Sequence, residues 1–385
     1  MAVSNIPVIT TKELHEKIAS GKPIFILDVR NEDEYANWKI EGKHVASINV
    51  PYFAFVEEDE SIWESIPNDV KDIVVVCAKG GASEFVAEQL RKRGYNAVSL
   101  EGGMLAWSQF YQPELVAFDE NLKLYQVNRL AKGCLSYVLI SEGEALIVDP
   151  SRHIDVYLEL VQKEGAVIRH IADTHVHADH ISGGPELAKR TGATYYLPSS
   201  DVQDGTVSFE PLENHSQIRM GKVIVEVLAI PTPGHTPGST SLLVNKKHLL
   251  SGDTIFVGGL GRPDLGGKAK EWAQMLYDTV FTTIANLSDD VYVLPAHYAD
   301  VQEINERGIV GAPLGDIRRS NEIMRTQDRE AFTETVAASA QSEKPPNFET
   351  IVDINRGLKE VTADEANELE LGPNRCAVHH STPNV

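Results

Sequence analysis

His175, His177, Asp179 and His180 fall within six residues in the pattern H-x-H-x-D-H. An isolated histidine is usually a packed or solvated residue, but this group supplies the donor types and density that a transition metal needs. The apolar run Val167-Ile168-Arg169-His170-Ile171-Ala172 precedes them and reads as a buried strand, while Ser182-Gly183-Gly184-Pro185 leads into a helix. The donors therefore sit in a turn at a strand end. Three later segments repeat that placement. His235 lies in the rigid turn Pro231-Thr232-Pro233-Gly234-His235-Thr236-Pro237-Gly238-Ser239, Asp253 follows Leu249-Leu250-Ser251-Gly252, and His297 follows Leu294-Pro295-Ala296. Strand-end donors from distant segments can converge at one end of a sheet, as a metal site requires.

A second reactive stretch lies upstream. Cys77-Ala78-Lys79-Gly80-Gly81-Ala82-Ser83 joins the apolar strand Ile73-Val74-Val75-Val76 to a helix predicted over 84–93. Small residues let the backbone curl until several N–H groups face the sulfur, and the helix N-terminus adds positive potential. Both favour a thiolate, or a terminal persulfide anion, at Cys77, and Lys79 adds to the field.

The elements that must carry these groups alternate clearly in residues 1–112. A capped helix at Thr11-Lys12-Glu13-Leu14-His15-Glu16-Lys17-Ile18 precedes the strand Ile24-Phe25-Ile26-Leu27, and Ala97-Val98-Ser99-Leu100 follows the helix that stops at Gly94. That order predicts an α/β domain with a parallel sheet flanked by helices. Tyr111-Gln112-Pro113-Glu114 breaks the pattern, which predicts a linker over 113–120. Over 121–341, hairpin-linked strands at 122–127, 136–140 and 145–148 are expected, with helices at 153–164 and 185–191. Strands near 194–197, 223–229, 240–244 and 248–251 follow, then a helix over 269–281 and a strand over 291–294. The expected architecture is an αββα sandwich, two sheets face to face with helices outside. Residues 342–385 read as a C-terminal extension packed on this domain. It has a loop at Ser342-Glu343-Lys344-Pro345-Pro346-Asn347 and a turn at Gly372-Pro373-Asn374-Arg375-Cys376. His379 and His380 read as terminal residues rather than as a metal tail.

Composition narrows the function classes. A chain of 385 residues with 42% hydrophobic content holds two or three globular domains. No stretch approaches the roughly 20 apolar residues of a membrane span, and the first residues lack a signal-peptide apolar block. Three widely spaced cysteines make no disulfide framework and point to a reducing, cytoplasmic setting. A net charge of −21 argues against nucleic-acid binding and against docking on anionic lipid.

Two family resemblances follow from these motifs. Leu27-Asp28-Val29-Arg30-Asn31-Glu32-Asp33-Glu34-Tyr35, Ile48-Asn49-Val50-Pro51, the Cys77 loop and Leu100-Glu101-Gly102-Gly103-Met104-Leu105-Ala106-Trp107 together resemble the rhodanese sulfurtransferases. The resemblance implies that Cys77 accepts and passes on a sulfane sulfur, with Lys79, Gly80 and Gly81 binding substrate. Ala82 stands where many members carry Arg, so one anion-binding cation for thiosulfate is missing. From about residue 120 to about 325 the segments resemble the metallo-β-lactamase superfamily.

That superfamily offers two metal arrangements, and every donor for both is present. In its dinuclear hydrolases, resemblance gives one Zn2+ to His175, His177 and His235 and the other to Asp179, His180 and His297, with Asp253 bridging. The persulfide dioxygenase branch binds one Fe(II) per chain, which by resemblance falls to His175, His235 and Asp253. Such a triad leaves positions for a persulfide sulfur and O2, and His177, Asp179, His180 and His297 then orient ligands and handle protons.

Three features favour iron. Gly261-Arg262-Pro263-Asp264 resembles the G-R-x-D segment of that branch, where the Arg helps bind the thiol cosubstrate. Cys134, in Gly133-Cys134-Leu135-Ser136-Tyr137, occupies an early strand where related dioxygenases have a cysteine near the metal, although plain packing also fits it. The third feature is the pairing itself, a sulfur carrier joined to a persulfide oxidase.

The expected activity is oxidation of a low-molecular-weight thiol persulfide by O2 to sulfite and thiol, as in sulfide detoxification, with sulfane-sulfur transfer at Cys77. The thiol is glutathione, coenzyme A or bacillithiol, thiosulfate or sulfite is the other sulfur partner, and a homo-oligomer is expected. The alternatives are a dinuclear zinc thioester hydrolase of the hydroxyacylglutathione hydrolase type and a non-catalytic sulfur-binding or redox-sensing protein.

Overall fold

The computed structural model describes residues 6–57, 61–231, 233, 235–263, 267–339, 346–374 and 376. One compact unit comprises the described residues up to Phe110 together with Arg129–Lys132; the other comprises those of Tyr111–Asn128 and from Gly133 onward. Among the described residues no helix is long and apolar enough to cross a membrane.

The first unit is built on a five-stranded, wholly parallel sheet in the order Val8–Ile9, Asn96–Leu100, Asp72–Val76, Ile24–Asp28, Val45–Asn49. Its strands read as continuous apolar runs because both faces are covered. Phe25, Leu27, Ile73 and Val75 pack on one face with Val86, Ala87 and Leu90 of helix Gly81–Lys92. Ile24, Ile26, Val74 and Val76 pack on the other with Leu14, Met104 and Trp107. The helix expected over 84–93 begins earlier, so its first turn lies directly against the cysteine loop.

The second unit is an αββα sandwich. Its seven-stranded sheet runs Glu210–Pro211, Thr194–Leu197, Val167–Ala172, Glu144–Val148, Cys134–Ser141, Lys123–Arg129, Tyr111–Phe118. The six-stranded sheet runs Gln217–Met220, Val223–Pro231, Thr240–Val244, His248–Gly252, Tyr292–Pro295, Ala312–Pro313. Side-chain alternation sorts each strand between two cores. Leu139, Leu146 and Val148 of one sheet meet Val225, Leu242, Val244 and Leu250 of the other. On the outer faces, Val138 and Ile147 pack on helix Asp155–Lys163, and Leu243, Leu249 and Val293 on helix Ala269–Asp278.

Two expectations need correction. Most of 113–120, read as a linker, is strand Tyr111–Phe118 at the edge of the seven-stranded sheet. Pro113 can stand there because an edge strand does not need every amide for its ladder. The helix expected over 269–281 ends as a regular helix at Asp278 and continues as the wider π-turn Thr279–Thr283.

Candidate functional site

In the first unit, strand Asp72–Val76 ends where Cys77 begins the loop. Gly80, at φ +106°, turns its amide back to donate to Cys77 Sγ at 3.0 Å. The sulfur also lies 3.2 Å from the Ser83 hydroxyl, which donates to the Gly80 carbonyl at 2.8 Å and accepts from Ser99 at 2.9 Å. Sequence reasoning expected several loop amides and did not single out Ser83, although its place in the first helical turn was visible. A cavity of about 300 Å³ opens over the sulfur, lined among others by Arg30, Glu34, Lys79, Gly81 and Ala82. Arg30 is buried and paired with Asp28, Nη2 to Oδ2 at 2.7 Å, so its charge is already balanced. Ala82 does line this cavity.

In the second unit the strand ends converge as expected. Asp253 and His297 follow the parallel neighbours His248–Gly252 and Tyr292–Pro295, while His175 follows Val167–Ala172 of the opposite sheet. Gly252, at φ +53°, is required: a Cβ there would meet Thr174 Oγ1 at 2.7 Å.

His175, His235 and Asp253 bring one donor atom each within 4.8 Å of one another. Asp253 Oδ2 lies 3.7 Å from His175 Nε2 and 3.4 Å from His235 Nε2, and all three atoms are buried without a hydrogen-bond partner. The opposite ring atoms fix the tautomers. His235 Nδ1 donates to the Arg262 carbonyl at 2.8 Å, leaving a lone pair on Nε2. Thr174 Oγ1 donates to Asp149 Oδ2 at 3.0 Å, so it accepts from His175 Nδ1 at 3.0 Å and leaves the same lone pair. Two imidazole lone pairs and a carboxylate oxygen, buried with no proton among them, fit a divalent cation.

The other motif residues surround this group in different roles. His297 is bracketed by carboxylates, Nδ1 at 2.5 Å from Asp253 Oδ1 and Nε2 at 3.1 Å from Asp179 Oδ2. Asp179 also accepts from Cys134 Sγ at 3.0 Å and from His180 Nδ1 at 3.0 Å. His177 turns away from the triad toward Asp149, Nε2 to Oδ1 at 3.1 Å, with Asp173 beyond at 3.8 Å. Arg262 is 1% exposed and reaches the site through its carbonyl; Asp264, and likewise His379 and His380, lie outside the described residues.

Electrostatics follows this partnering. Burial pushes His175 well below the usual imidazole range, and the neighbouring His177 adds to that. Burial opposes charge on His297, but Asp179 and Asp253 outweigh it and raise the ring well above its ordinary value. Against burial, Asp179 lifts His180 to about 10. Asp253 is held low by His297, then His235 and His175, despite its burial.

Four residues here were not singled out from sequence. Asp149 and Asp173 hold the motif loop from behind, and Asn355 and Cys376 approach from the C-terminal extension. Burial, reinforced by the nearby carboxylates, pushes the Cys376 thiol well up.

The family comparisons agree with both folds. A rhodanese-like domain model matches residues 10–110, and a metallo-beta-lactamase superfamily model matches residues 130–297. The chain joins a rhodanese-like domain to a metallo-beta-lactamase domain. The metallo-beta-lactamase part is 32% identical over 174 residues to a hydroxyacylglutathione hydrolase of Anaeromyxobacter dehalogenans, covering 45% of this chain and 65% of that one. It is 29% identical over 177 residues to the mitochondrial persulfide dioxygenase ETHE1 of Mus musculus, covering 43% and 65%. The chain thus spans just under two thirds of each relative's length. Among solved structures, ETHE1 from Myxococcus xanthus superposes with a TM-score of 0.51 at 26% identity, covering 64% of this chain and 98% of that one. The metallo-beta-lactamase fold implies metal binding, and the candidate donors are those described above.

Proposed function

We propose that the metallo-beta-lactamase domain oxidises a low-molecular-weight thiol persulfide at one Fe(II), held by His175, His235 and Asp253. The observation that carries this reading is the isolation of that triad. Its three donor atoms have no other partner and converge within 4.8 Å, while His177 bonds to Asp149 through Nε2 and both nitrogens of His297 are engaged by carboxylates. Similarity to the ETHE1 persulfide dioxygenases supports the same choice. When bound, the ion supplies the means to bring persulfide sulfur and O2 together. The chain's own residues do the rest. Thr174 and the Arg262 carbonyl orient the two imidazoles. His297 links Asp253 to Asp179 through its two ring nitrogens and so orients the carboxylate that would hold the ion. The overall change is RSSH + O2 + H2O → RSH + SO3²⁻ + 2H⁺, in which the sulfane sulfur loses four electrons to O2.

At the rhodanese-like domain the Cys77 thiolate attacks a sulfane sulfur, for instance the outer sulfur of thiosulfate, releasing sulfite and leaving a Cys77 persulfide. A thiol then takes that sulfur and returns the cysteine to its starting state. The Gly80 amide stands where it can stabilise the anion at each stage.

A dinuclear zinc hydrolase is the second reading. It is favoured by the similarity to hydroxyacylglutathione hydrolases and by the second donor group, Cys134, Asp179, His180 and His297, within 4.8 Å of one another. The deciding experiment measures O2 consumption by iron-reconstituted protein given glutathione persulfide or coenzyme A persulfide, with sulfite assayed alongside. Equal O2 loss and sulfite formation are expected. No uptake with either persulfide, together with two zinc ions per chain and thioester cleavage, would select the hydrolase.

A further inference from the structure

Between strand Val167–Ala172 and helix Gly184–Thr191 the chain forms neither helix nor strand, yet this stretch carries His175, His177, Asp179 and His180. Its buried backbone groups need partners from elsewhere. Several of those partners come from the C-terminal extension. Asn355, which ends helix Phe348–Asn355, is buried; its amide donates to the carbonyls of His177 and His180 at 2.8 and 2.9 Å, and its oxygen accepts from the Ser182 amide at 2.9 Å.

Glu370, just past helix Ala363–Leu369, is buried as well and accepts from the Ile181 amide through Oε1 at 2.7 Å. Its Oε2 accepts from Arg152 Nε at 2.8 Å, and the Arg152 amide donates in turn to the Ile181 carbonyl at 2.9 Å. Asn367 holds the same guanidinium, accepting from Nη2 at 2.5 Å. Between these bonds the side chain of Ile181 is packed among Ile351, Ile354, Ala366 and Leu369. The extension thus grips the loop from His177 to Ser182 by its backbone and by one apolar side chain, leaving the donor atoms to face the triad.

We propose that Asn355 and Glu370 are positioning residues of the metal centre, so that docking of the C-terminal extension and metal binding are coupled steps. An ion at His175, His235 and Asp253 needs the loop in the conformation that the docked extension holds. An extension that lifts away leaves buried groups of the loop unpaired and lets His175 drift from the other two donors. The effect is reciprocal: whatever factor docking adds to metal affinity, the metal adds to docking. The inference rests on metal binding at the His175–His235–Asp253 triad, not on the reaction assigned to it.

The test follows amide hydrogen exchange in the full chain, stripped of metal, with and without Co2+. Helices Phe348–Asn355 and Ala363–Leu369 are expected to exchange about tenfold more slowly with the ion bound, the lower end of what supporting residues contribute to metal sites. Helix Ala269–Asp278, on the opposite sheet, is expected to slow less. Glu370→Ala is expected to weaken Co2+ binding about tenfold, by competition with a chelating dye, and to remove the extra protection of the two helices. Glu370→Gln, which keeps an acceptor for the Ile181 amide, is expected to recover much of both. A merely structural role would lower the stability of Glu370→Ala and leave the affinity of its folded form where it was. Co2+ that binds without slowing the two helices, or slows them no more than helix Ala269–Asp278, overturns the proposal, as does an unchanged affinity in folded Glu370→Ala. The exchange measurement uses the native chain and decides the matter even where that variant does not fold. A chain that binds no Co2+ defeats the metal reading and this proposal with it. One that shows the coupling but takes up no O2 with persulfide keeps the positioning roles and loses the dioxygenase.

Discussion

His297 meets Asp253 through Nδ1 at 2.5 Å, on the carboxylate oxygen opposite the one aimed at His175 and His235. The ring therefore orients the anionic member of the triad, and Asp179 in turn orients the ring. Removing such a support typically costs 10–100-fold in metal affinity or activity. His297→Asn is expected to weaken Fe(II) or Co2+ binding by about tenfold or more, measured by competition with a chelating dye. An unchanged affinity would mean that Asp253 is held without it.

The two chemistries should separate. His235→Ala is expected to abolish persulfide-dependent O2 uptake while leaving sulfur transfer from thiosulfate intact, and Cys77→Ser to do the reverse. Loss of both activities in either variant, with the fold retained, would show that the sites are not independent.

Ala82 lines the cavity over Cys77, and Arg30, which lines it too, is already paired with Asp28. Ala82→Arg adds a charged donor for the sulfonate oxygens, and such bonds contribute about 1.5–3 kcal/mol. The KM for thiosulfate is expected to fall by about tenfold. A KM that does not move, in steady-state assays with cyanide as acceptor, would indicate that the donor is bound elsewhere.

Asn355 satisfies three backbone groups of the metal-bearing loop at once. Asn355→Leu leaves the carbonyls of His177 and His180 and the amide of Ser182 without those partners, and one buried unsatisfied group alone costs about 1–3 kcal/mol. Urea denaturation should show a loss of about 3 kcal/mol, accompanied by poorer metal retention. A variant as stable as the native chain would mean that water or a shifted loop replaces all three bonds.

Metal removal has a signature of its own. An ion bound by the folded state and present at a hundredfold its Kd stabilises by about 2.7 kcal/mol. Chelation should therefore lower the Tm of the metallo-beta-lactamase domain by several degrees and leave the rhodanese-like domain unmoved. Calorimetry resolves the two transitions, and a shift in both would refute independent unfolding.

Much of this arrangement is legible in the chain because strand ends announce themselves. Apolar runs stop at Cys77, His175, Asp253 and His297, and alternation of the runs gives the layers. Tyr111–Phe118 escaped because Pro113 reads as a break, and only its edge position in the sheet makes that proline harmless. Asn355 and Glu370 escaped for another reason. Their partners lie between 173 and 218 residues away in sequence, and a lone buried amide or carboxylate carries no periodicity to mark it. The split between donors that converge and donors that turn aside, as His177 does toward Asp149, depends on ring rotation, which residue spacing does not encode.

The triad draws His175 from one sheet of the sandwich and His235 and Asp253 from the other. An ion held among them is a rivet through both layers. It resists any sliding of one sheet over the other, and such sliding would pull the donors apart before the apolar core between the sheets opened. Metal release should accordingly precede global unfolding on heating, so that the first event in thermal inactivation is a loosened seam at the ligand end of an otherwise intact sandwich.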